Sequence, residues 1–180
     1  AAQGLGLPAA GDQIGRWQIE RQIGEGGFSL VFLASDVEDP SSKAAVKLLK
    51  PGLDTLQILQ RFQREQTFLA DLSHPGIATI LETLVTQRGS PCIVMEYLPG
   101  GTILRWCNDA RRGLDERIAM FLQVCEALEY AHTRGVIHRD IKPSNLLVSG
   151  IGDVSQVKVI DFGIARAIQT EAGVTMLTQQ

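Results

Sequence analysis

The first half of the chain alternates between apolar and polar positions, and the second half changes to a helical period. Trp17-Gln18-Ile19-Glu20 carries the period of two expected of a half-buried strand. Leu30 to Ala34, Lys43 to Leu49, Ile80 to Val85 and Cys92 to Met95 read as further strands. Gly24-Glu25-Gly26-Gly27, Pro40-Ser41-Ser42 and Gly89-Ser90-Pro91 supply turns between them. From Thr55 to Leu72 the pattern changes: Ile58, Phe62, Leu69 and Leu72 make one stripe at helical spacing. Helices are also predicted over Thr102 to Arg111 and Asp115 to Arg134. In the second of these, Ile118, Leu122, Cys125, Leu128 and His132 form the expected packing stripe, with Asp115 as N-cap and Gly135 as the glycine that ends the helix. Val157-Lys158-Val159-Ile160 reads as one more short strand, and Ala1 to Asp12, rich in Ala and Gly, as a flexible tail.

Composition narrows the function classes. The chain has 180 residues, 44% hydrophobic and 21% charged, which is ordinary globular usage. A net charge of −3 gives no electrostatic reason to expect nucleic acid. No run approaches the roughly 20 apolar residues of a membrane span, and no signal peptide is visible. Cys92, Cys107 and Cys125 are odd in number and widely spaced, which fits reduced thiols rather than a disulfide framework or a zinc pattern.

Candidate chemistry is concentrated in Val136-Ile137-His138-Arg139-Asp140-Ile141-Lys142-Pro143-Ser144-Asn145. An acid, three bases and an amide follow two apolar residues, and Pro143 prevents a helix from continuing through them. Two further polar residues stand in apolar settings. Lys47 lies between Ala45-Val46 and Leu48-Leu49 and needs anions, and Glu65 falls on the apolar stripe of the first helix and needs a cation. The glycines at 24, 26 and 27, set between two strands, leave backbone N–H groups room to approach a polyphosphate, although an ordinary glycine-rich hairpin has the same local pattern. A dinucleotide fingerprint would open a helix, whereas Phe28 to Val31 reads as strand.

These motifs together resemble the protein kinases. His138-Arg139-Asp140-x-Lys142-x-x-Asn145 resembles the catalytic loop, Asp161-Phe162-Gly163 the metal-binding triplet, Gly24 to Val31 the phosphate loop and Ala45-Val46-Lys47 the lysine strand, in the family's order. Ser29 stands where the third glycine of that loop usually lies. Arg61-Phe62-x-Arg64-Glu65, Leu72-Ser73-His74-Pro75 and Val94-Met95-Glu96-Tyr97 look most like the eukaryotic-type (Hanks-type) serine/threonine kinases of bacteria.

The resemblance implies an α+β, bilobal kinase-like fold. Behind a tail of residues 1–12, residues 13–98 would form the small lobe, an antiparallel sheet plus one helix. Residues 99–180 would begin a mainly helical large lobe and stop within the activation segment, with Pro99-Gly100-Gly101 joining the two. It implies ATP and Mg2+ as cofactors. Gly24, Glu25, Gly26, Gly27, Phe28, Ser29, Val31, Ala45, Met95, Glu96, Leu98 and Leu147 would surround the nucleotide, and Lys47, paired with Glu65, would hold its phosphates. Asp140 would accept or orient the proton of the acceptor hydroxyl, Lys142 would neutralise the γ-phosphate, and Asn145 and Asp161 would bind the metal. His138 and Phe162 would stack with Leu69 and Ile80 as structure.

Arg139 before Asp140 implies activation by phosphorylation, with Thr175 or Thr178 favoured over Thr170. The implied partners are proteins offering Ser or Thr, with room for a homodimer that phosphorylates in trans. Without the A-P-E motif, the chain is expected to be a fragment, weakly active and poorly stable alone, cytoplasmic over its kinase portion and from a parent whose membrane anchorage stays open. Arg61, Arg64 and Glu82 are expected as solvated charges, and His74 and His132 as turn or packing histidines. Two rivals remain. Arg139 and Lys142 argue against a small-molecule phosphotransferase of the aminoglycoside or choline kinase type. The presence of Lys47, Glu65, Asp140, Asn145 and Asp161 argues against a catalytically dead scaffold.

Overall fold

The computed structural model describes residues 7–27, 29–50, 72–86, 89–109, 111–150 and 155–162. The helix expected over Thr55 to Leu72, with Glu65 and Leu69, lies outside them apart from Leu72, as do Phe28, Gly163 and the three threonines. The chain forms two compact units, one containing residues up to 61 with 80–97 and the other containing 62–79 with the residues from 98 onward. Among the described residues no helix is long and apolar enough to cross a membrane.

The first unit is a sheet of β1 (Gln13–Ile14), β2 (Trp17–Glu25), β3 (Ser29–Asp36), β4 (Lys43–Leu49), β5 (Ile80–Val85) and β6 (Pro91–Glu96). All its pairings are antiparallel, in the order β1-β2-β3-β4-β6-β5. Because strand side chains alternate faces, register decides what each face carries. Leu30, Phe32, Ala34, Ala44, Val46, Leu48, Cys92 and Val94 join Ile14, Trp17 and Ile19 in one buried cluster. The opposite set is aligned in two cross-strand rows, Val31 with Lys47 and Ile93, and Leu33 with Ala45 and Met95. The burial of Cys92 pushes its thiol up to about 11.

Polar groups at the margin of this sheet are paired. The Trp17 indole donates to the Glu82 carboxylate, so Glu82 is a half-buried acceptor and not the solvated charge expected of it. Asp36 is fully buried and paired with Arg16, and a hydrogen bond from that guanidinium holds its carboxyl below the usual range. Within the expected tail, residues near the strands are fastened: Gly11 N donates to Ile19 O at 2.8 Å, and Ile19 N to Asp12 O at 2.8 Å.

The second unit contains β7 (Gly101–Thr102), α1 (Ile103–Asp109), α2 (Leu114–Thr133), β8 (Leu146–Ser149) and β9 (Gln156–Val159), with a 3-10 turn at Pro143–Asn145. β7, β8 and β9 pair antiparallel in that order. Gly100 is required for this arrangement, because a Cβ there would lie 1.6 Å from the Val148 carbonyl oxygen. Gly135 ends α2 with φ +76°, as the sequence predicts.

One expectation about α2 is corrected. It starts one residue earlier than predicted, with Gly113 as N-cap, whose N–H donates to the Glu116 carboxylate at 2.9 Å. Its buried face is Met120, Val124, Ala127 and Ala131, while Ile118 and Leu122 are 47% and 55% exposed and Cys125 is also exposed. The two stripes interleave on one helix, and the one with the smaller residues is the one packed among the described residues. A Cβ built on Gly76 would already lie 3.0 Å from Ala127 Cβ.

Candidate active site

The loop from His138 to Asn145 is built from the inside outward. His138 is 1% exposed, and both its ring nitrogens are used. Asp140 N donates to Nδ1 at 3.2 Å, which makes Nε2 the protonated nitrogen that donates to Ile160 O at 2.8 Å. The ring is therefore neutral, and burial lowers its pKa below 6.5. Phe162 meets it edge-on at 4.6 Å. That contact matches the predicted His138–Phe162 stack, and Leu69 lies outside the described residues.

Arg139 follows with φ +67°, a left-handed conformation unusual for a residue with a side chain. It turns the chain so that Asp140 and the residues after it face one another. Lys142 Nζ donates to Asp140 Oδ2 at 2.7 Å. Asn145 Nδ2 donates to the Asp140 backbone oxygen at 2.8 Å and to Oδ2 at 3.2 Å. The 3-10 turn after Lys142 sets this geometry, with Asn145 N donating to Lys142 O at 2.9 Å. The Lys142 hydrogen bond, aided by Asn145, holds the Asp140 carboxyl below its ordinary value.

Asp161 reaches the same loop through the backbone. Ile160 N donates to Asn145 O at 2.9 Å, so β9 delivers Asp161 one residue beyond a hydrogen bond to the Asn145 main chain. Asp161 has φ +66°. Sequence reasoning thus singled out five residues, His138, Asp140, Lys142, Asn145 and Asp161, that the structure gathers within one unit. Leu147 follows in β8, half-buried, opposite Thr102 and Lys158. Leu98 is half-buried in the same unit.

The other predicted residues lie on the sheet of the first unit. Gly26 N donates to Ser29 O at 2.8 Å and closes the hairpin between β2 and β3, with Gly24 opposite Val31 and Glu25 opposite Leu30. Ser29 in the third glycine position is therefore compatible with the turn. The Glu25 carboxylate is paired with Lys50 at 2.7 Å, a partner that sequence reasoning did not name. Gly27 has open space where a Cβ would stand. Val31, Ala45, Lys47 and Met95 share the face opposite the core cluster, and Glu96 ends β6 opposite Ala44. The predicted Lys47–Glu65 pair has one partner outside the described residues.

Comparison with known proteins agrees with this geometry. The family model described as "Protein kinase domain" matches residues 17–179. A probable serine/threonine-protein kinase of Streptomyces coelicolor is 39% identical over 90% of this chain and 24% of its own length. Serine/threonine-protein kinase Pkn1 of Myxococcus xanthus is 34% identical over 96% of this chain and 26% of its own. The chain thus spans about a quarter of the length of these curated relatives. Among solved structures, the PknI kinase domain of Mycobacterium tuberculosis superimposes with a TM-score of 0.74 at 30% identity, covering 88% of this chain and 64% of that one. With the family model matched from β2 to the penultimate residue, and the loop and sheet arranged as described, this chain belongs to the protein kinase domain family.

Proposed function

We propose that the protein containing this chain is a serine/threonine protein kinase that transfers the γ-phosphate of ATP to protein hydroxyls. The observation that carries the reading is the Asp140 carboxylate, half-exposed and fixed by Lys142 at 2.7 Å and Asn145 at 3.2 Å. Phosphoryl transfer passes through a loose transition state and asks for positioning and charge neutralisation more than for a strong base. A carboxylate whose pKa is held low by a lysine suits that demand. It stays ionised, accepts the hydrogen bond of an incoming hydroxyl and aims its oxygen; as the new bond to the γ-phosphorus forms, the bond from that phosphorus to the bridging oxygen breaks, ADP leaves, and the hydroxyl proton moves to the carboxylate. Lys142 lies beside it and can accompany the transferred charge.

Lys47, half-buried on its strand opposite Val31, is the residue proposed to hold the α- and β-phosphates, with Glu65 as its partner. The glycines at 24, 26 and 27 offer backbone N–H groups, and Val31, Ala45, Met95 and Leu147 offer apolar contact to a base. The backbone from Glu96 to Leu98 is proposed to read its edge.

The donor set fits magnesium. Asn145 turns its amide nitrogen to Asp140, which leaves the amide oxygen as the atom to meet a cation, and Asp161 adds a carboxylate. Among the described residues no three His, Cys, Asp or Glu side chains cluster into a metal cage. Two oxygen donors are what a hard cation that keeps waters and phosphate oxygens uses. When bound, it would neutralise phosphate charge.

We further propose that residues 13–98 form the small lobe and 99–180 part of the large lobe, and that Thr175 or Thr178 is the site of activating autophosphorylation. Single-turnover transfer from ATP to a Ser/Thr peptide by the full protein, beside Asp140→Asn, tests the reading. The variant should lose about 10²–10⁴-fold in rate with ATP affinity retained. Equal rates would overturn it.

A further inference from the structure

β9 is the strand that delivers Asp161, and its two edges are held in different ways. On one edge β8 pairs along its length, from Leu146 opposite Val159 to Ser149 opposite Gln156. The other edge presents the main-chain groups of residues 155, 157 and 159. At Val159 a piece of backbone serves: Val159 N donates to Gly76 O at 2.8 Å, and Ala78 N donates to Val159 O at 3.0 Å. At 155 and 157 a side chain takes the place of a strand. Gln123 Oε1 accepts Val157 N–H at 3.0 Å, and Gln123 Nε2 donates to Ser155 O at 3.4 Å.

A primary amide can present its carbonyl oxygen and one N–H to the same side, so Gln123 stands in for the C=O and N–H of one residue of a missing strand. It comes from α2, three residues from buried Met120 and one from buried Val124, and that packing fixes where its amide sits. Trp106 of α1 adds a hydrogen bond from its indole to Ser155 Oγ at 3.3 Å. Beyond β9 the chain is equally held, with Ile160 N on Asn145 O and Ile160 O on His138 Nε2. Asp161 then adopts φ +66°, which a residue with a side chain keeps only where its neighbours impose it.

We propose that Gln123 is a positioning residue for Asp161. By holding the outer edge of β9, it sets the level at which the Asp161 carboxylate is presented to a metal–nucleotide complex. The inference rests on the assignment of Asp161 as a metal ligand in the proposed kinase reaction. Nothing in the catalytic motifs marks Gln123. Its only sequence signal is a polar residue beside the buried stripe of an amphipathic helix.

The test uses the full protein that contains this chain, with Gln123→Leu, which removes both hydrogen bonds, and Gln123→Glu, which keeps the acceptor for Val157 N–H but sets an oxygen against Ser155 O. Hydrogen exchange at the Val157 amide is measured with Mn2+ affinity in the presence of a non-hydrolysable ATP analogue, by calorimetry. In Gln123→Leu, Val157 should lose protection and Mn2+ affinity should fall on the order of tenfold, the effect typical of a group that orients a metal ligand. Gln123→Glu should retain the Val157 protection and lose less affinity, and it carries the test if the leucine variant does not fold. In Gln123→Leu, deprotection of Val157 with unchanged Mn2+ affinity would reduce Gln123 to a structural role and overturn the proposal, as would unchanged Val157 protection; in Gln123→Glu, wild-type Mn2+ affinity would overturn it. Absence of phosphoryl transfer in the wild type, with Mn2+ affinity responding as stated, would instead count against the kinase reading alone.

Discussion

The sheet of the first unit and the loop of the second place their candidate residues by different physics. On the sheet, Val31, Ala45, Lys47 and Met95 share a face because strands alternate and β3, β4 and β6 are in register. The adjacent positions Leu30, Ala44, Val46, Leu48 and Val94 turn to the core. Side-chain identity matters little to the placement, since one register fixes all of them together. In the loop, each residue is placed by its own hydrogen bonds, and two left-handed residues, Arg139 and Asp161, are held against their preference. The contrast predicts that sheet positions separate cleanly into function and stability, whereas in the loop the two are mixed.

The sharpest way to break the comparison lies on β4. Lys47→Ala should lower phosphoryl transfer by about 10²–10³-fold, the range seen when one transition-state charge partner is removed, with little change in the denaturation midpoint. Val46→Ala, one residue away but buried in the core cluster, should cost roughly 1–3 kcal/mol of stability and leave the rate per folded molecule nearly unchanged. Denaturant titration and single-turnover assays on both variants check this, and a large rate loss in Val46→Ala would refute the separation.

In the loop, His138→Leu should do both kinds of damage. The ring is fully buried with two hydrogen bonds, and its loss leaves Ile160 O and Asp140 N without their partners, at about 2–4 kcal/mol. Activity should also fall, because Asp140 loses the bond that fixes its backbone. Urea unfolding and transfer rates measured on the same preparation decide the point.

A pH experiment sharpens the same residue. His138 is buried neutral with its pKa below 6.5, so on acidification the unfolded state takes up a proton before the folded state does. Its contribution is therefore present above about 6.5 and is lost as pH falls towards the folded-state value. Stability should decline as pH falls below about 6.5, by at most about 1.4 kcal/mol per unit. The lowered carboxyls Asp36, Glu116 and Asp140 contribute below that window. His138→Gln should flatten this slope while keeping a polar side chain.

The smallest effect is on the thiols. Cys125 is exposed and should react with a thiol reagent at neutral pH, while buried Cys92 should react only on unfolding. Peptide mapping after timed alkylation checks the order, and early labelling of Cys92 would contradict the packed face of the sheet.

Strands and motif order were legible in the sequence because period-two alternation and short polar constellations are local signals. β3, β4 and β5 appear within about two residues of their predicted limits. The α2 face that packs among the described residues, Met120, Val124, Ala127 and Ala131, is not singled out by the sequence because two apolar stripes interleave on that helix, and tertiary contact with Gly76 reveals it. Glu82 was misread because its partner Trp17 is far away in sequence. Gln123 was invisible for the same reason: its role exists only once β9 lies beside α2.

The central claim is that the network around Asp140 serves phosphoryl transfer to a protein hydroxyl. It is tested most directly by giving the full protein Mg2+ and γ-labelled ATP with a Ser/Thr protein and an aminoglycoside, then locating the label by mass spectrometry. The account predicts phosphoserine or phosphothreonine that disappears when Mg2+ is chelated. Label on the aminoglycoside alone, or no transfer despite ATP binding, would contradict it.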